Sequence, residues 1–393
     1  MSQSKYNQIK VLHLPKWYPD KFNPTFGLFI QKHIYATTEQ TSSSVIYVCP
    51  DPKAKEKYII EISTNKKCLE LRVYYSIKNL DGISGKILKL WRYWHANKIA
   101  YRKLVEENRK PDLCHVHVLN RPALLALFLK ISAGIPYIVS EHWSGYFKES
   151  PGFRNPFKRK ITNLLIKASA KVTTVSNYLK ESMLNQGLIN NYEVINNIIE
   201  VDSEHKSYKK TSKQIKIVCL ARLENKVKNI SDIIDALAAL KEEGLDFHLD
   251  LIGVGKDKDF LKNQAIKKRI SKHIYFHGKI LNDKAKDVMA KANFLILNSH
   301  YETFGVAPLE ALSVGVPIIV TDCGGPSEYF KEDMGLLIPK NNLDALIDAI
   351  RKMSAEYNKY SSKALKQHVI DNFNPNLIGN KFIEIYNEIL KID

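Results

Sequence analysis

The sequence predicts two consecutive α/β domains, each a doubly wound parallel sheet wrapped in helices, with their strand ends facing a central cleft. Three observations predict it. The chain has 393 residues and is 45% hydrophobic and 25% charged, enough for about two or three cores at roughly 100–200 residues per domain. Short runs rich in Val, Ile and Leu alternate with amphipathic segments, as strands buried on both faces do between helices. The alternation then starts afresh after VDSEHKSYKKTSK near 200–213, a polar stretch without period. This gives a first domain at 1–205 and a second at 206–375.

In the first half the strands are IKVLHL (9–14), SVIYVC (44–49), LCHVHV (113–118), PYIVS (136–140) and KVTTVS (171–176). Helices fall at about 28–40, 84–108, 122–132, 157–169 and 177–186. In the second half QIKIVCL (214–220) is a strand, and SDIIDALAALKEEG (231–244) is a helix closed by Gly244. FHLDLIG (247–253), IYFHG (274–278), FLILNS (294–299) and PIIVTD (317–322) follow as strands. The closing segment, 376–393, has helical apolar spacing and no strand after it, so it is expected to pack back on the first domain.

Composition excludes disorder, a collagen-like fibre and a short disulfide scaffold. The most apolar stretch, Pro122 to Ser140, is broken by Lys130, Gly134 and Pro136, whereas a membrane span needs about 20 apolar residues. The N-terminal MSQSKYNQIKVLHLP has no apolar signal core, which points to the cytoplasm. Five cysteines lie far apart with no C-x-x-C pair, as reduced thiols do; Cys323, beside Gly324-Gly325, is the one candidate for reactivity. The net charge is +18. Residues 1–205 carry 30 Lys+Arg against 17 Asp+Glu and residues 206–393 carry 29 against 24, so the first half faces something anionic more strongly.

Chemistry concentrates in SHYETFGVAPLEALSVGVPIIVTDCGG (299–325). Glu302 would sit on a loop at a strand's carboxyl end, and Glu310 two turns into a helix starting near Ala307. The amides of Phe304, Gly305, Val306 and Ala307 would point outward at that helix N-terminus, a ready anion site. Two carboxylates could then hold hydroxyls on either side of a bound phosphate. In CLARLENKVKNISDII (219–234), Arg222 and Lys228 follow a buried strand and precede a helix. Fixed cations there could hold an anionic ligand. Gly27, in KWYPDKFNPTFGLFIQKH (16–33), lies where the first strand turns into the first helix, and a backbone without a side chain can approach a phosphate there. His142, in PYIVSEHWSGYF (136–147), follows a buried strand at its carboxyl end, with Glu141 beside it to orient the loop.

These strings resemble the retaining glycosyltransferases of family 4 (glycosyltransferase group 1), which have the GT-B fold. The family's E-G-F-G-L-x-x-L-E-A-M-A-x-G-x-P string is similar to YETFGVAPLEALSVGVP here, with Thr303 in place of a Gly, and Gly324, Gly325 and Glu328 match the Gly-Gly-x-x-Glu that follows. The resemblance implies that Arg222 and Lys228 bind the donor diphosphate. Their gap is one residue longer than usual, and Lys226 is the alternative match. It implies that Glu302 and amides 304–307 hold the donor sugar and phosphate, that Glu310 binds the ribose hydroxyls, and that His142 lies beside the donor sugar. Lys279 and Ile280, after His277-Gly278, stand where the nucleotide base packs; GVG (253–255) resembles the family's glycine turn, and Asn197 in YEVINNIIEVD (192–202) its hinge asparagine. Gly27 matches a glycine-containing donor loop.

The function implied is transfer of a sugar from a nucleotide diphosphate donor to an acceptor hydroxyl with retention, in bacterial surface polysaccharide or glycolipid assembly. No covalent nucleophile is well placed, and the resemblance implies a front-face path. A sugar phosphorylase or nucleotide-sugar epimerase of the same fold is the alternative, and a basic binding module a further one. No cofactor or metal is expected. His115-Val116-His117, Glu141-His142 and Asp257-Lys258-Asp259 are the metal-like patterns; the last reads better as a helix start, where Asp caps. No nucleic-acid motif appears. In SGKILKLWRYWHANKIAYRKL (84–104), Ile87, Leu90, Trp91 and Trp94 share a helical face while Lys86, Lys89, Arg92 and Arg102 decorate the others. This is the pattern of an interfacial helix on the anionic inner face of a plasma membrane, where a glycan or lipid-linked acceptor would be met.

Overall fold

The computed structural model describes residues 8–201 and 213–392. Most of the predicted join, the first seven residues of the N-terminal stretch read for a signal sequence, and Asp393 of the closing segment lie outside these residues. Two compact units form. One comprises the chain up to Val175, Lys180–Ile198 and everything from Pro375 on; the other comprises Ser176–Leu179 and Ile199–Asn374.

The first unit is built on eight strands: β1 (Ile9–Pro15), β2 (Thr41–Asp51), β3 (Tyr58–Asn65), β4 (Cys68–Ser76), β5 (Leu113–His117), β6 (Tyr137–Glu141), β7 (Lys171–Thr174) and β8 (Tyr192–Val194). They lie in the order β3-β4-β2-β1-β5-β6-β7-β8. All neighbours are parallel except the β3–β4 pair. The order reverses between β1 and β5, and this switch point is where such sheets open a crevice for ligands at the strands' carboxyl ends. The β3–β4 hairpin was not among the predicted strands. Its two-residue turn is Lys66-Lys67, both at positive φ (44° and 63°). Hairpin turns with that backbone are normally announced by Asn-Gly or Asp-Gly, and lysines announce nothing. The first helix stops at Tyr35 rather than 40, because the chain turns at Thr37 and Thr38, whose hydroxyls bond back to the Ile34 and Tyr35 carbonyls.

One face of this sheet is covered by the helix Leu28–Tyr35 and by the last helix, Pro375–Leu390. The latter buries Ile378, Phe382, Ile385 and Tyr386, spaced at i, i+4, i+7 and i+8, against Ile9, Val11, Leu113 and Ile138 of the sheet. Beneath it, β1 and β5 pair His13 with His115 in register. Three imidazoles, His13, His115 and His117, are thereby buried side by side.

The second unit holds six parallel strands: β9 (Ile215–Leu220), β10 (Phe247–Ile252), β11 (Ile274–Gly278), β12 (Phe294–Leu297), β13 (Ile318–Thr321) and β14 (Gly335–Ile338). Their order is β11-β10-β9-β12-β13-β14, so the switch point lies between β9 and β12. β14, only four residues and opening on Gly335, was not predicted. The core is continuous from Ile215 to Met353, with the helix Ile230–Glu242 contributing Ile230, Ile233, Ile234, Leu237 and Leu240.

Candidate active site

The loops leaving β9 and β12 meet at the second switch point. After β9 the chain makes a four-residue helix, Asn225–Lys228, then passes Asn229 at φ 46° into the helix Ile230–Glu242. Several bonds fix this path. The Asn225 amide donates to Asp257 Oδ2 (2.7 Å), its side chain donates to Ser231 Oγ (2.7 Å), and Asn298 Nδ2 donates to the Asn229 carbonyl (3.1 Å). Asp257 therefore serves a neighbouring loop; it makes no side-chain cap on the helix that it precedes, which corrects the capping role read from its position. Gly253, at φ 139°, lies so close that an added Cβ would sit 1.9 Å from the Ala221 carbonyl oxygen. Its amide donates to the Gly278 carbonyl (2.9 Å). The glycine turn thus ties the loop after β9 to the one after β11, which carries exposed Lys279 and half-buried Ile280.

Lys228 and Glu302, 74 residues apart, form a direct ion pair here; their side chains are 19% and 13% exposed. Ser299 Oγ donates to the same Glu302 oxygen (2.7 Å). The Glu302 backbone is pinned against the next loop: its amide donates to the Cys323 carbonyl (2.8 Å) and its carbonyl accepts from the Gly325 amide (3.1 Å). Lys226 is exposed and Lys228 is half-buried, so of the two alternatives it is Lys228 that meets Glu302. Arg222 is not drawn into this pair. Its guanidinium is 74% exposed, with Nε 3.0 Å from Glu224 Oε1.

The helix Val306–Ser313 starts at Gly305, φ 74°, with no side-chain cap and no acidic residue in its first turn. Its first amides have no intrahelical acceptor and carry the positive end of the helix dipole. Phe304 is buried and packs on Tyr329 and Phe373 (ring centroids 5.5 and 5.9 Å). Tyr329 donates to the Gly305 carbonyl (2.8 Å). Val306, Ala307 and Glu310 are half-buried, with Glu310 in the second turn. Glu328 accepts from the Asn177 and Tyr178 amides (2.8 and 2.5 Å), a support contact rather than a free carboxylate. Cys323 is buried and its thiol is pushed up to about 12 by desolvation first and by the Glu302 charge second, which makes it inert at neutral pH.

In the first unit, Gly27 is buried at the start of the helix Leu28–Tyr35. A Cβ there would fall 2.4 Å from the Trp17 carbonyl oxygen, so the turn itself demands the glycine. His142 follows β6, is 6% exposed, and leaves both ring nitrogens without a partner. Burial, with His33 nearby, holds its pKa well below the usual imidazole range, so the ring is neutral. Its neighbours are the Phe29 and His33 rings (centroids 4.9 and 5.4 Å). Glu141 is fully buried and accepts from the amides of Leu119 (2.6 Å), His142 (3.0 Å) and Trp143 (3.2 Å) and from the Tyr146 hydroxyl (3.1 Å). It orients the loop.

Three features escaped sequence reasoning. Ser299 and Asn229 are ordinary residue types whose roles depend on tertiary contacts. Val118, at φ 66°, is a β-branched residue in the left-handed region, a strain of order 1–3 kcal/mol. It directs the next amide, that of Leu119, at Glu141.

The sequence matches two family models: "Glycosyltransferase Family 4" over residues 43–203 and "Glycosyl transferases group 1" over residues 200–367. It is 30% identical over 280 residues to an uncharacterised glycosyltransferase of Methanocaldococcus jannaschii, covering 70% of this chain and 72% of that one. The chain belongs to glycosyltransferase family 4. This glycosyltransferase is also 23% identical over 370 residues to TuaC of Bacillus subtilis, named for teichuronic acid biosynthesis, covering 88% and 90% of the two chains. Solved structures share its GT-B fold. Sucrose-phosphate synthase from Thermosynechococcus elongatus matches at TM-score 0.77 and 16% identity, over 98% of this chain and 100% of that one. Anabaena HepE in complex with UDP and glucose matches at TM-score 0.70 and 15% identity, over 97% and 100%. The family 4 assignment makes the chain a transferase enzyme, with relatives in cell-wall polysaccharide synthesis.

Proposed function

We propose that this glycosyltransferase moves a sugar from a nucleotide diphosphate donor to an acceptor hydroxyl with retention of configuration, in the assembly of a bacterial surface polysaccharide or glycolipid. The observation that carries the reading is the Lys228–Glu302 pair at the carboxyl ends of β9 and β12, beside the uncapped helix at Gly305. A diphosphate entering there exchanges one carboxylate partner of Lys228 for its own oxygens and gains the first-turn amides. Glu302, released from the lysine, accepts from a donor-sugar hydroxyl. Glu310 takes the ribose hydroxyls, and Lys279 and Ile280 flank the base. Arg222, exposed and mobile about its side-chain torsions, swings from Glu224 onto the leaving diphosphate. As the glycosidic bond breaks, these cations stabilise the growing charge. The departing phosphate oxygen takes the acceptor proton on the same face. His142 offers its two unsatisfied ring nitrogens to a substrate hydroxyl; leaving such a group unsatisfied costs about 1–3 kcal/mol.

A panel of uridine, guanosine and adenosine diphosphate sugars, read by thermal shift and then by donor hydrolysis, tests this. One donor is expected to raise the melting temperature and to be consumed. Arg222→Ala should then cut turnover by orders of magnitude with the fold intact, and chelation by EDTA should leave turnover unchanged. Phosphorolysis of a glycan without nucleotide would instead mark a phosphorylase.

The membrane reading rests on the helix Gly82–Glu106. Gly85, Tyr93, Ala96, Ala100 and Leu104 face the sheet, whereas Ile83, Ile87, Leu90 and Trp91 are exposed at helical spacing beside Lys86. Arg92 is spent internally, donating to the Ser76 carbonyl (2.6 Å). Among the described residues no helix is long and apolar enough to cross a membrane. The chain is expected to co-sediment with phosphatidylglycerol vesicles at low salt, and an Ile87→Ser/Trp91→Ser pair to lose most of that binding; equal sedimentation of both would reject the interfacial role.

A further inference from the structure

A cavity lies wholly within the first unit. It has a volume of about 330 Å³, within the range of about 300–1,000 Å³ typical of small-molecule sites. It opens where β1, β2 and β4 end and the helix Pro122–Ala133 begins, beside that sheet's switch point. Lys16, Arg121 and Asn120 supply its polar lining and no carboxylate lines it.

The two cations are held in place without being neutralised. The Lys16 amide donates to the His117 carbonyl (3.0 Å), and its ammonium lies 5.1 and 5.4 Å from the Trp17 and Trp143 ring centroids. Arg121 sits 5.7 Å from the Tyr93 ring centroid, and its guanidinium pulls back the upward shift that burial gives the Tyr75 phenol. Among the described residues neither cation makes an ion pair with a carboxylate. Glu141, the acid that acts on Lys16, is buried and already accepts four hydrogen bonds, and Lys158 adds positive charge nearby. The amides that open the helix Pro122–Ala133 are already used, Arg121 donating to Asn120 Oδ1, Ala123 to the Asn120 carbonyl and Leu124 to the Arg121 carbonyl, so the side chains carry the site. Two cations without a carboxylate partner, in a concavity with aromatic walls, form an electrostatic site for an anion.

We propose that this cavity is the acceptor subsite and that it takes an acceptor bearing a phosphate or carboxylate group, held by Lys16 and Arg121 against Tyr75 and Tyr93. The inference rests on the glycosyl-transfer reading above and adds the charge of the acceptor to it. That anion could sit on a soluble sugar acid or sugar phosphate, or on a lipid phosphate.

The test uses the full chain and three kinds of probe. NMR titration compares glucose with glucuronate and glucose 6-phosphate. Flotation compares phosphatidylcholine vesicles with and without a polyprenyl phosphate. Calorimetry with UDP is run alongside on every variant. Wild-type protein is expected to bind the charged sugars at least tenfold more tightly than glucose, or to float selectively with the polyprenyl phosphate. The first outcome assigns a soluble anion, the second a lipid-borne one. Lys16→Ala/Arg121→Ala should lose that preference, and Arg121→Glu should reverse it, while UDP affinity stays within twofold and reports an intact second unit. Equal binding of glucose and the charged sugars with no selective flotation, or an anion preference that survives both variants, overturns the acceptor assignment. If UDP itself fails to bind wild-type protein, the donor reading falls instead, and the two failures are told apart.

Discussion

Lys228→Ala is expected to lower turnover about 10²–10³-fold, the loss seen when one fixed electrostatic contact to a developing negative charge is removed. Lys228 is the half-buried cation of the second unit's switch point and is already aligned by Glu302. An aligned charge in a partly desolvated place acts more strongly than a solvated one and needs no reorganisation as the bond breaks. Removal also strands the Glu302 carboxylate, which is 13% exposed and retains the Ser299 hydroxyl as a hydrogen-bond donor but loses its cation. Some of the loss could then come through stability, because breaking a buried pair from one side is costly. The control is Lys228→Ala/Glu302→Gln, which removes the stranded charge. The double variant should regain its melting temperature and turn over far more slowly than Glu302→Gln alone, since Glu302 itself takes the donor sugar. A double variant as active as Glu302→Gln alone would assign Lys228 a purely structural task. Kinetics with the donor found in the nucleotide-sugar panel, with melting curves for each protein, decide it.

The second large effect is acid unfolding of the first unit. Five imidazoles, His13, His33, His115, His117 and His142, are buried there. Desolvation lowers His13 to about 3 and His33 to about 4, and holds the other three well below the usual value. Burial keeps the rings neutral, and hydrogen bonds hold two of them in place. His13 Nδ1 lies 3.2 Å from His117 Nε2 and its Nε2 3.2 Å from Ser43 Oγ; His115 is bonded at both nitrogens, to the Tyr386 hydroxyl and Ser140 Oγ at 2.7 Å each. In the unfolded chain each histidine takes up a proton near pH 6.5. Between there and about 4 the unfolded state binds more protons than the folded one, so stability is lost as pH falls through that window. The five shifts have the same sign, so their effects on the pH slope act together. Glu141, whose buried carboxyl is shifted upward, works in the opposite direction. Glu70, shifted downward by its Tyr18, Tyr35 and Arg72 partners against the effect of burial, adds to the loss only below the ordinary carboxylate range. Urea midpoints at pH 7.5, 6.0 and 5.0 should therefore fall steeply while ordinary carboxylates are still ionised. His115→Gln should flatten the slope by its share. A midpoint constant over that range would contradict the buried-neutral reading.

The strands buried on both faces were legible because such burial leaves short apolar runs between turn residues and amphipathic segments, as in LCHVH and FLIL. The helix Pro375–Leu390 was legible for the related reason that its apolar stripe repeats at i, i+4 and i+7. The β3–β4 hairpin was not, since β3 is an edge strand whose residues are mostly exposed or half-buried, and its turn uses lysines. At the site, Glu302 and Lys228 could be named from their strings, Lys228 being preferred to Lys226 because Asn229 and the helix follow it directly; their pairing could not, because it depends on which lysine the four-residue helix turns toward Glu302. The pairing of Arg222 with Glu224 is likewise a side-chain placement no spacing encodes. The metal-like pattern at His115 and His117 had a third member, His13, that only strand register could add. Asp257 read as a helix cap because its neighbours look like a helix start; its real partner, the Asn225 amide, lies 32 residues away and is brought near by the glycine turn at Gly253.

The most direct measurement is a crystal structure of the chain soaked with UDP. The diphosphate is expected against the amides of Gly305 and Val306, with an oxygen on Lys228 Nζ and with Glu302 freed from that lysine. A nucleotide bound with the Lys228–Glu302 pair still closed, or with its phosphates away from the Gly305 turn, would contradict the account.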